Sequence, residues 1–288
     1  MSDNDLRQLK IKFLIDSIYC GDNLEILKEF PDGCVDLIYI DPPFFSNRNY
    51  EIMNKVDDEK RAFNDRWAGG IQQYIEWIRP RINQLRRTLK NTGIFYIHCD
   101  YHANSYLRVL LDQIFGLENF RNEIIWTYAG GGIPKYDFPR KHDTILRYSK
   151  GKKWTFNIEY RAYGDWTKDH EPRHSLTSGG KKLDLKKGTP VNDWWSDFTR
   201  LTSYHKEWLG YPTQKPEVLL ERIIRTSSNK GDIILDAFFG SGTTLAVSKQ
   251  LDRNFIGIDI SPVACKITAK RINYPISKIF GLANTISK

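Results

Sequence analysis

Short β-rich runs alternate with amphipathic stretches at both ends of the chain. Seven runs are rich in β-branched and aromatic residues and predict strands at residues 13–19, 35–40, 93–98, 123–128, 143–148, 232–235 and 254–258. Helical spacing predicts helices at residues 23–28, 71–90, 101–115, 216–227, 243–250 and 261–272. Alternation of this kind is typical of an α/β fold with a mainly parallel sheet.

The middle of the chain is different, because its pattern becomes irregular between residues 129 and 210. From residue 129 to 212 there are 16 Lys and Arg against 10 Asp and Glu, a surplus of six positive charges, interleaved with aromatic residues. Such an insertion could bind phosphates by charge and bases by stacking. A solvated surface region with a small core of its own is the alternative interpretation. Residues 143–150 would be an antiparallel strand returning to the main sheet.

Composition narrows the class of protein only modestly. The formal charge of +8 favours a polyanionic partner, and 40% hydrophobic residues suffice for one large domain or two small ones. The first ten residues are charged and no long apolar run follows, so we expect a cytoplasmic protein without a membrane span, nucleoid-associated if prokaryotic. Four scattered cysteines and six histidines form no spacing typical of a metal site, and we expect no metal.

Residues 233–244, with the sequence IILDAFFGSGTT, predict a buried strand, a glycine turn and a helix. Glycines at such a turn allow a ligand to approach the backbone at the carboxyl edge of the sheet. Asp259 directly follows the next predicted strand, 17 residues after Gly242, where a carboxylate can accept hydrogen bonds from a ribose. A nicotinamide dinucleotide would require a third glycine where Leu245 stands. An adenosine-containing cofactor without a pyrophosphate therefore fits, although glycines that merely turn the chain are the structural alternative.

A second turn, Asp41-Pro42-Pro43-Phe44, follows the predicted strand at residues 35–40. Two successive prolines make a stiff turn that fixes a carboxylate, a carbonyl and an aromatic ring relative to one another. The lone pair of an exocyclic amino group on a base is delocalised into the ring. Asp41 and the carbonyl of Pro42 could bind the amino hydrogens while Phe44 stacks on a flipped base. A rigid turn with a buried phenylalanine is the simpler alternative.

These motifs together resemble the permuted, β-class amino-methyltransferases of DNA, in which the catalytic motif precedes the cofactor motif. The resemblance covers nearly the whole chain and includes Gly21-Asp22-Asn23-Leu24 and Tyr211-Pro212-Thr213-Gln214-Lys215-Pro216. Ala237 and Tyr211 depart from the family, which usually has Pro and His there. The resemblance implies a seven-stranded, mostly parallel Rossmann-like methyltransferase fold, with a catalytic domain at residues 1–128 and 211–288. Residues 129–210 would be the inserted target-recognition region.

The resemblance also implies roles for particular residues. Asp41, Pro42, Pro43 and Phe44 would be catalytic, and S-adenosylmethionine would be the cofactor. Asp259 would hold its ribose, Asp22 would meet its adenine ring, and Thr213 and Lys215 would approach its methionine carboxylate. The remaining residues implied for the cofactor site are Gln214, Asp236, Phe238, Gly240, Ser241, Gly242 and Thr243.

Site-specific methylation of adenine N6 in double-stranded DNA is the reaction that these features favour, since family members with Asp at the first catalytic position are mostly adenine-directed. N4 of cytosine is the main alternative. Methylation of carbon 5 of cytosine requires a cysteine nucleophile, usually after proline, and the chain has no Pro-Cys pair. An RNA or protein methyltransferase and a non-catalytic nucleic-acid-binding module are further alternatives.

The remaining expectations concern partners. Lys181, Lys182, Lys186 and Lys187 would contact DNA phosphates, with a solvated loop as the alternative. A homodimer and a cognate restriction endonuclease would be further partners of such an enzyme.

Overall fold

The computed structural model describes residues 13–46, 48–56, 59–130, 132, 134–162 and 188–282. Its strands are β1 Ser17–Cys20, β2 Val35–Ile40, β3 Arg48–Val56, β4 Glu59–Asp65, β5 Leu89–Cys99, β6 Phe120–Thr127, β7 His142–Ser149, β8 Tyr160–Arg161, β9 Thr189–Pro190, β10 Trp194–Trp195, β11 Ile233–Asp236 and β12 Asn254–Asp259. Its helices are α1 Asn23–Lys28, α2 Gly70–Thr88, α3 Asn104–Phe115, α4 Glu217–Ser227, α5 Thr243–Gln250 and α6 Pro262–Arg271.

The main sheet has eight strands in the order β1-β12-β11-β2-β5-β7-β6-β10. All neighbouring pairs are parallel except the two that β7 makes with β5 and β6. The carboxyl ends of β1, β12, β11, β2 and β5 therefore lie at one edge of the sheet. The predicted α/β fold with a mostly parallel sheet is confirmed.

Helices cover both faces of this sheet. On one face, α1, α2 and α3 bury apolar side chains against the strands, including Leu27, Ile78 and Leu111. On the other face, α4, α5 and α6 do the same with residues such as Ile223, Leu245 and Ala264. Strands buried on both sides must be apolar throughout, which explains why β2 reads as a nearly continuous hydrophobic run.

The sheet has one strand more than the seven predicted. The additional strand, β10, pairs with the edge strand β6 through only two residues, too few to give a periodic pattern. The first predicted strand also begins too early: Leu14 and Ile15 are exposed, and Asp16 has a left-handed φ of 53°. The antiparallel hairpin of β3 and β4 was not predicted, because its sequence is polar and charged.

The described part of the basic middle region is joined to the body of the protein by an arginine on α4. The guanidinium of Arg222 makes two hydrogen bonds to Asp197, at 2.9 and 2.6 Å, and lies 3.3 Å from Glu159. Its carbon lies 5.1 Å from the ring centre of Trp195 and 4.9 Å from that of Phe198.

Within the described ranges, no helix is both long and apolar enough to cross a membrane.

Candidate active site

A cavity of about 720 Å³ opens at the carboxyl edge of the sheet, where β2, β11, β12 and β1 end side by side. Its lining contains almost every residue predicted for chemistry or cofactor binding: Asp22, Asp41, Pro42, Pro43, Phe44, Thr213, Gln214, Lys215, Asp236, Phe238, Gly240, Ser241, Thr243 and Asp259. Motifs nearly 200 residues apart in the chain thus meet because adjacent parallel strands deliver their ends to one place.

Gly242 was predicted to line the cofactor site but does not line this cavity. It precedes α5 with a left-handed φ of 73°, and a Cβ built on it would lie 2.3 Å from the Thr268 side chain. Gly240 also has a left-handed φ, 50°, and lies against the ring of Tyr211. Gly240 therefore lines the cavity, whereas Gly242 allows α5 and α6 to pack closely.

The turn after the catalytic motif is held by Asp65, a buried residue at the end of β4. Its carboxylate accepts hydrogen bonds from the backbone N–H of Phe45 at 3.0 Å and of Ser46 at 2.7 Å, and from the indole of Trp67 at 2.9 Å. Phe45 has a left-handed φ of 64°, a conformation that costs energy in a non-glycine residue. The hydrogen bonds of Asp65 offset this cost and fix the direction in which the backbone leaves the turn.

The two oxygens of the Asp41 carboxylate have different surroundings. Oδ2 accepts a hydrogen bond from Nζ of Lys215 at 2.5 Å, whereas Oδ1 is buried and accepts none from the described residues. Nζ of Lys215 also donates to the carbonyl of Thr213 at 3.2 Å. A buried acceptor without a donor is costly, so Oδ1 is a candidate for binding a substrate hydrogen.

Two further carboxylates, Asp236 and Asp259, end the adjacent strands β11 and β12. Asp236 accepts from the Thr244 hydroxyl at 2.5 Å and the Phe238 N–H at 2.9 Å; Asp259 accepts from the N–H groups of Gly240 and Ser261. Burial raises the pKa of Asp236 to about 7 and that of Asp259 to about 6, although these hydrogen bonds act in the opposite direction. Near neutral pH a cationic ligand would favour their charged forms.

Asp22, predicted to meet the adenine of the cofactor, caps α1 and pairs with an arginine. It accepts from the N–H of Leu24 at 2.9 Å, and Arg81 contacts both of its oxygens, at 2.9 and 3.0 Å. Arg81 in turn lies over the ring of Trp77, with 4.3 Å between the guanidinium carbon and the ring centre. Arg81 and Trp77 line the cavity but were not predicted. Their spacing of four residues in α2 was the available signal.

Gln214 braces the segment before α4. Its side-chain oxygen accepts from the N–H of Leu209 at 2.8 Å, and its amide donates to the carbonyl of Glu207 at 2.7 Å. Thr213 has a left-handed φ of 61°. This bracing explains how Thr213 keeps that conformation and how Lys215, which directly follows Gln214, is directed at Asp41.

The lysines predicted to contact DNA, Lys181, Lys182, Lys186 and Lys187, lie outside the described residues. Across the described ranges, the acidic, histidine and cysteine side chains form no group of three or more that could hold a metal ion. None of the four cysteines, all of which are described, forms a disulfide.

Comparisons with known proteins agree with this geometry. The N6/N4 methyltransferase family described as DNA methylase matches residues 35–270. The DNA adenine methyltransferase YhdJ of Escherichia coli (strain K12) is 31% identical, with 89% of this chain and 82% of that protein covered. The type II methyltransferase M.HpaI of Haemophilus parainfluenzae is 32% identical, with 89% and 74% covered.

Solved structures show the same fold. The crystal structure of the M1.HpyAVI-SAM complex has a TM-score of 0.56 at 25% identity, and covers 89% of this chain and 98% of that one. The PvuII DNA methyltransferase (cytosine-N4-specific) has a TM-score of 0.64 at 18% identity, with 96% and 93% covered, and supports the fold alone. The cavity, the matched family and these relatives lead to one conclusion. The chain belongs to the DNA methylase family of amino-methyltransferases and is a DNA methyltransferase that uses S-adenosylmethionine.

Proposed function

We propose that this protein methylates N6 of adenine at specific sites in double-stranded DNA, with the target base flipped into the cavity. The observation that carries the proposal is Oδ1 of Asp41. It is a buried acceptor without a donor among the described residues, in a cavity that also contains two buried carboxylates and a glycine turn suited to the cofactor.

The residues present fit S-adenosylmethionine. A cavity of about 720 Å³ is of the size of small-molecule sites. Asp259 and Asp22 offer carboxylates for the ribose and adenine, and Oδ1 of Asn23 is a further buried acceptor that accepts no hydrogen bond from the described residues. When bound, S-adenosylmethionine supplies a methyl carbon on a positively charged sulfur. Asp41, Asp236 and Asp259 make the cavity a favourable place for that charge.

Asp41 would activate the amino nitrogen of the base. That nitrogen is a poor nucleophile because its lone pair is delocalised into the ring. Oδ1 of Asp41 and the carbonyl of Pro42 would accept its two hydrogens, which favours a pyramidal nitrogen with an available lone pair. Lys215 holds Oδ2 and thereby directs Oδ1 away from itself. The nitrogen must release a proton when it gains the methyl group, and Oδ1 is an acceptor for it.

The DNA would be bound at the same edge of the sheet by the region at residues 129–210. The loop between β6 and β7 leaves β6 at its carboxyl end, three strands from Asp41 or about 14 Å at ~4.8 Å per strand. Tyr136 and Phe138 in this loop are 87% and 95% exposed, and Lys135, Arg140 and Lys141 flank them in the sequence. Exposed aromatic rings among positive charges fit stacked bases and phosphates.

Adenine is proposed over cytosine on two grounds. Asp41 occupies the first position of the catalytic motif, as in mostly adenine-directed members that the sequence resembles. The relative YhdJ is named a DNA adenine methyltransferase. N4 of cytosine is the second candidate, because the matched family includes both amino groups.

The test is to incubate the protein with S-adenosylmethionine and DNA of mixed sequence, hydrolyse the DNA and identify the methylated nucleoside by mass spectrometry. We expect N6-methyladenosine in its deoxy form. N4-methylcytosine would overturn the choice of base, and methylated RNA beside unmethylated DNA would overturn the substrate. Asp41→Ala should abolish turnover while cofactor binding survives, and retained turnover would refute the role of Asp41.

Two partners remain proposals: a second copy of this chain and a cognate restriction endonuclease. The relative M.HpaI is named a type II methyltransferase, which supports looking for the endonuclease. Sedimentation with and without DNA tests the dimer. Resistance of DNA modified by this protein to a candidate endonuclease tests the second partner.

A further inference from the structure

A histidine lies directly behind the catalytic turn. His98, on β5, is completely buried, and its ring is stacked on that of Phe44 with 5.6 Å between centres and 21° between planes. The indole of Trp126 meets the same imidazole edge-on, with 5.7 Å between centres. Phe44 lines the cavity. The imidazole of His98 therefore packs against one face of the Phe44 ring and supports it.

Both nitrogens of this imidazole are held. Nδ1 lies 2.9 Å from the hydroxyl of Tyr39, and Nε2 lies 3.1 Å from Oδ2 of Asp143. The other oxygen of Asp143 accepts from the hydroxyl of Tyr128 at 2.9 Å. Hydrogen bonds at both nitrogens fix the plane of the ring, because rotation about the Cβ–Cγ bond would break them. The support under Phe44 is thus rigid.

This arrangement joins four strands: Tyr39 is on β2, His98 on β5 and Asp143 on β7, while Tyr128 directly follows β6. Burial alone would raise the pKa of Asp143, but the hydrogen bonds with His98 and Tyr128 and the positive charge of Lys215 bring it below its usual value. A buried polar network is costly unless every member is paired, and when paired it specifies one geometry. An apolar side chain at His98 would fill the space without fixing an orientation.

We propose that His98 is a positioning residue for methyl transfer, because its pinned imidazole fixes the ring of Phe44 and, through it, the orientation of the base stacked on Phe44. The inference rests on the proposed function, in which Phe44 stacks on the flipped base. A small misplacement of the reacting nitrogen lowers the rate of methyl transfer strongly. A residue that never touches the base can therefore still control kcat.

The experiment is a double-mutant cycle in the full-length protein with His98→Gln and Phe44→Ala, measuring kcat, KM for DNA and the Kd of S-adenosylmethionine. We expect His98→Gln to lower kcat at least about tenfold with the Kd of the cofactor within about twofold of wild type. In the Phe44→Ala background His98→Gln should change kcat less than about twofold, because the ring through which His98 acts is already absent. Equal effects in both backgrounds would overturn the proposal.

A spectroscopic readout separates positioning from a general loss of structure. With 2-aminopurine at the target position of the DNA, we expect His98→Gln to change the fluorescence of the bound, flipped base. The matched control is Tyr148→Phe. Tyr148 lies at the other end of β7 from Asp143, and the substitution removes a buried hydroxyl that donates to Asp112 at 2.7 Å. It should leave the fluorescence unchanged, and an equal change in both variants would contradict the proposal.

Tyr39→Phe gives a second route if His98→Gln does not fold. It removes only the hydroxyl that fixes Nδ1. We expect a smaller fall in kcat that again disappears in the Phe44→Ala background, and additivity would overturn the proposal. If the wild-type protein methylates no DNA, the proposed function has failed. If it methylates DNA and both cycles are additive, only the role of His98 has failed.

Discussion

Nζ of Lys215 lies 2.5 Å from Oδ2 of Asp41, although the two residues are 174 positions apart in the chain. The resemblance to the family implied that this lysine approaches the methionine carboxylate of the cofactor. In the structure this lysine pairs with the proposed catalytic carboxylate, and among the described residues only Oδ2 of that carboxylate accepts a hydrogen bond. Mutation of Lys215 can therefore distinguish an effect on turnover from an effect on cofactor binding.

Replacing Lys215 by methionine should lower kcat about 10- to 100-fold, because a charge-assisted hydrogen bond of about 1.5–3 kcal/mol no longer orients Asp41. The measurement is steady-state kinetics with S-adenosylmethionine varied at saturating DNA, beside the control Lys249→Met, whose wild-type ammonium donates to the carbonyl of Ile272. A higher KM for S-adenosylmethionine with unchanged kcat would show that Lys215 serves the cofactor alone.

Asp236 should make the protein less stable as the pH rises from about 4 to 7. Its folded pKa is about 7, above the usual value, so in this range the folded state holds a proton that the unfolded state has released. The free energy of unfolding then falls by up to about 1.4 kcal/mol per pH unit from this group. Asp236→Asn should remove this slope in denaturant unfolding, whereas Asp232→Asn, at a more exposed position, should keep it. Parallel curves for wild type and Asp236→Asn would contradict the assignment.

Gly242→Ala should destabilise the protein more than Gly231→Ala. Both glycines have left-handed φ, 73° and 82°, so alanine costs about 1–2 kcal/mol of backbone strain at either. Only at Gly242 does the added Cβ also clash, 2.3 Å from the side chain of Thr268, whereas at Gly231 it meets nothing within 4 Å. Thermal unfolding of the pair isolates this packing cost, and equal melting temperatures would contradict it.

Arg222→Ala should lower the free energy of unfolding by about 1.5–3 kcal/mol, because it removes the charge-assisted hydrogen bonds to Asp197, the ion pair with Glu159 and the contact with Trp195. Arg225→Ala is the matched control on the same helix, since Arg225 makes a more exposed pair with Glu221. Denaturant unfolding measures both. A loss no larger than that of the control would show that Arg222 does not hold the middle region to α4.

Phe138→Ser should weaken binding of double-stranded DNA about 10-fold, since stacking on a base is worth about 1–3 kcal/mol, without changing cofactor affinity. Fluorescence anisotropy with labelled DNA measures the first and calorimetry the second. Leu117→Ser is the control, because Leu117 is 66% exposed but lies before β6, at the opposite edge of the sheet from the cavity. Equal losses for the two variants would remove the special role of this loop.

The features that the sequence predicted well are those with local causes. The strands at residues 35–40 and 254–258 are apolar because they are buried on both faces. The helix predicted from residue 261 begins there because Ser261 caps α6 by accepting from the N–H of Ala264. Pairs of residues brought together by several strands had no local signal. His98 and Asp143 look like ordinary strand residues, and Arg81 looks like a helix surface cation.

Contiguous motifs were sufficient to predict the alternation of strands and helices, the two turns that line the cavity and the family, because each depends on neighbouring residues with characteristic backbone requirements. Three contacts became visible in the folded chain alone: Lys215 pairs with Oδ2 of Asp41, Gly242 packs closely against Thr268, and His98 stacks on Phe44. The physical reason is that parallel strands place at one edge residues far apart in the chain, and hydrogen bonds between them depend on register and side-chain direction.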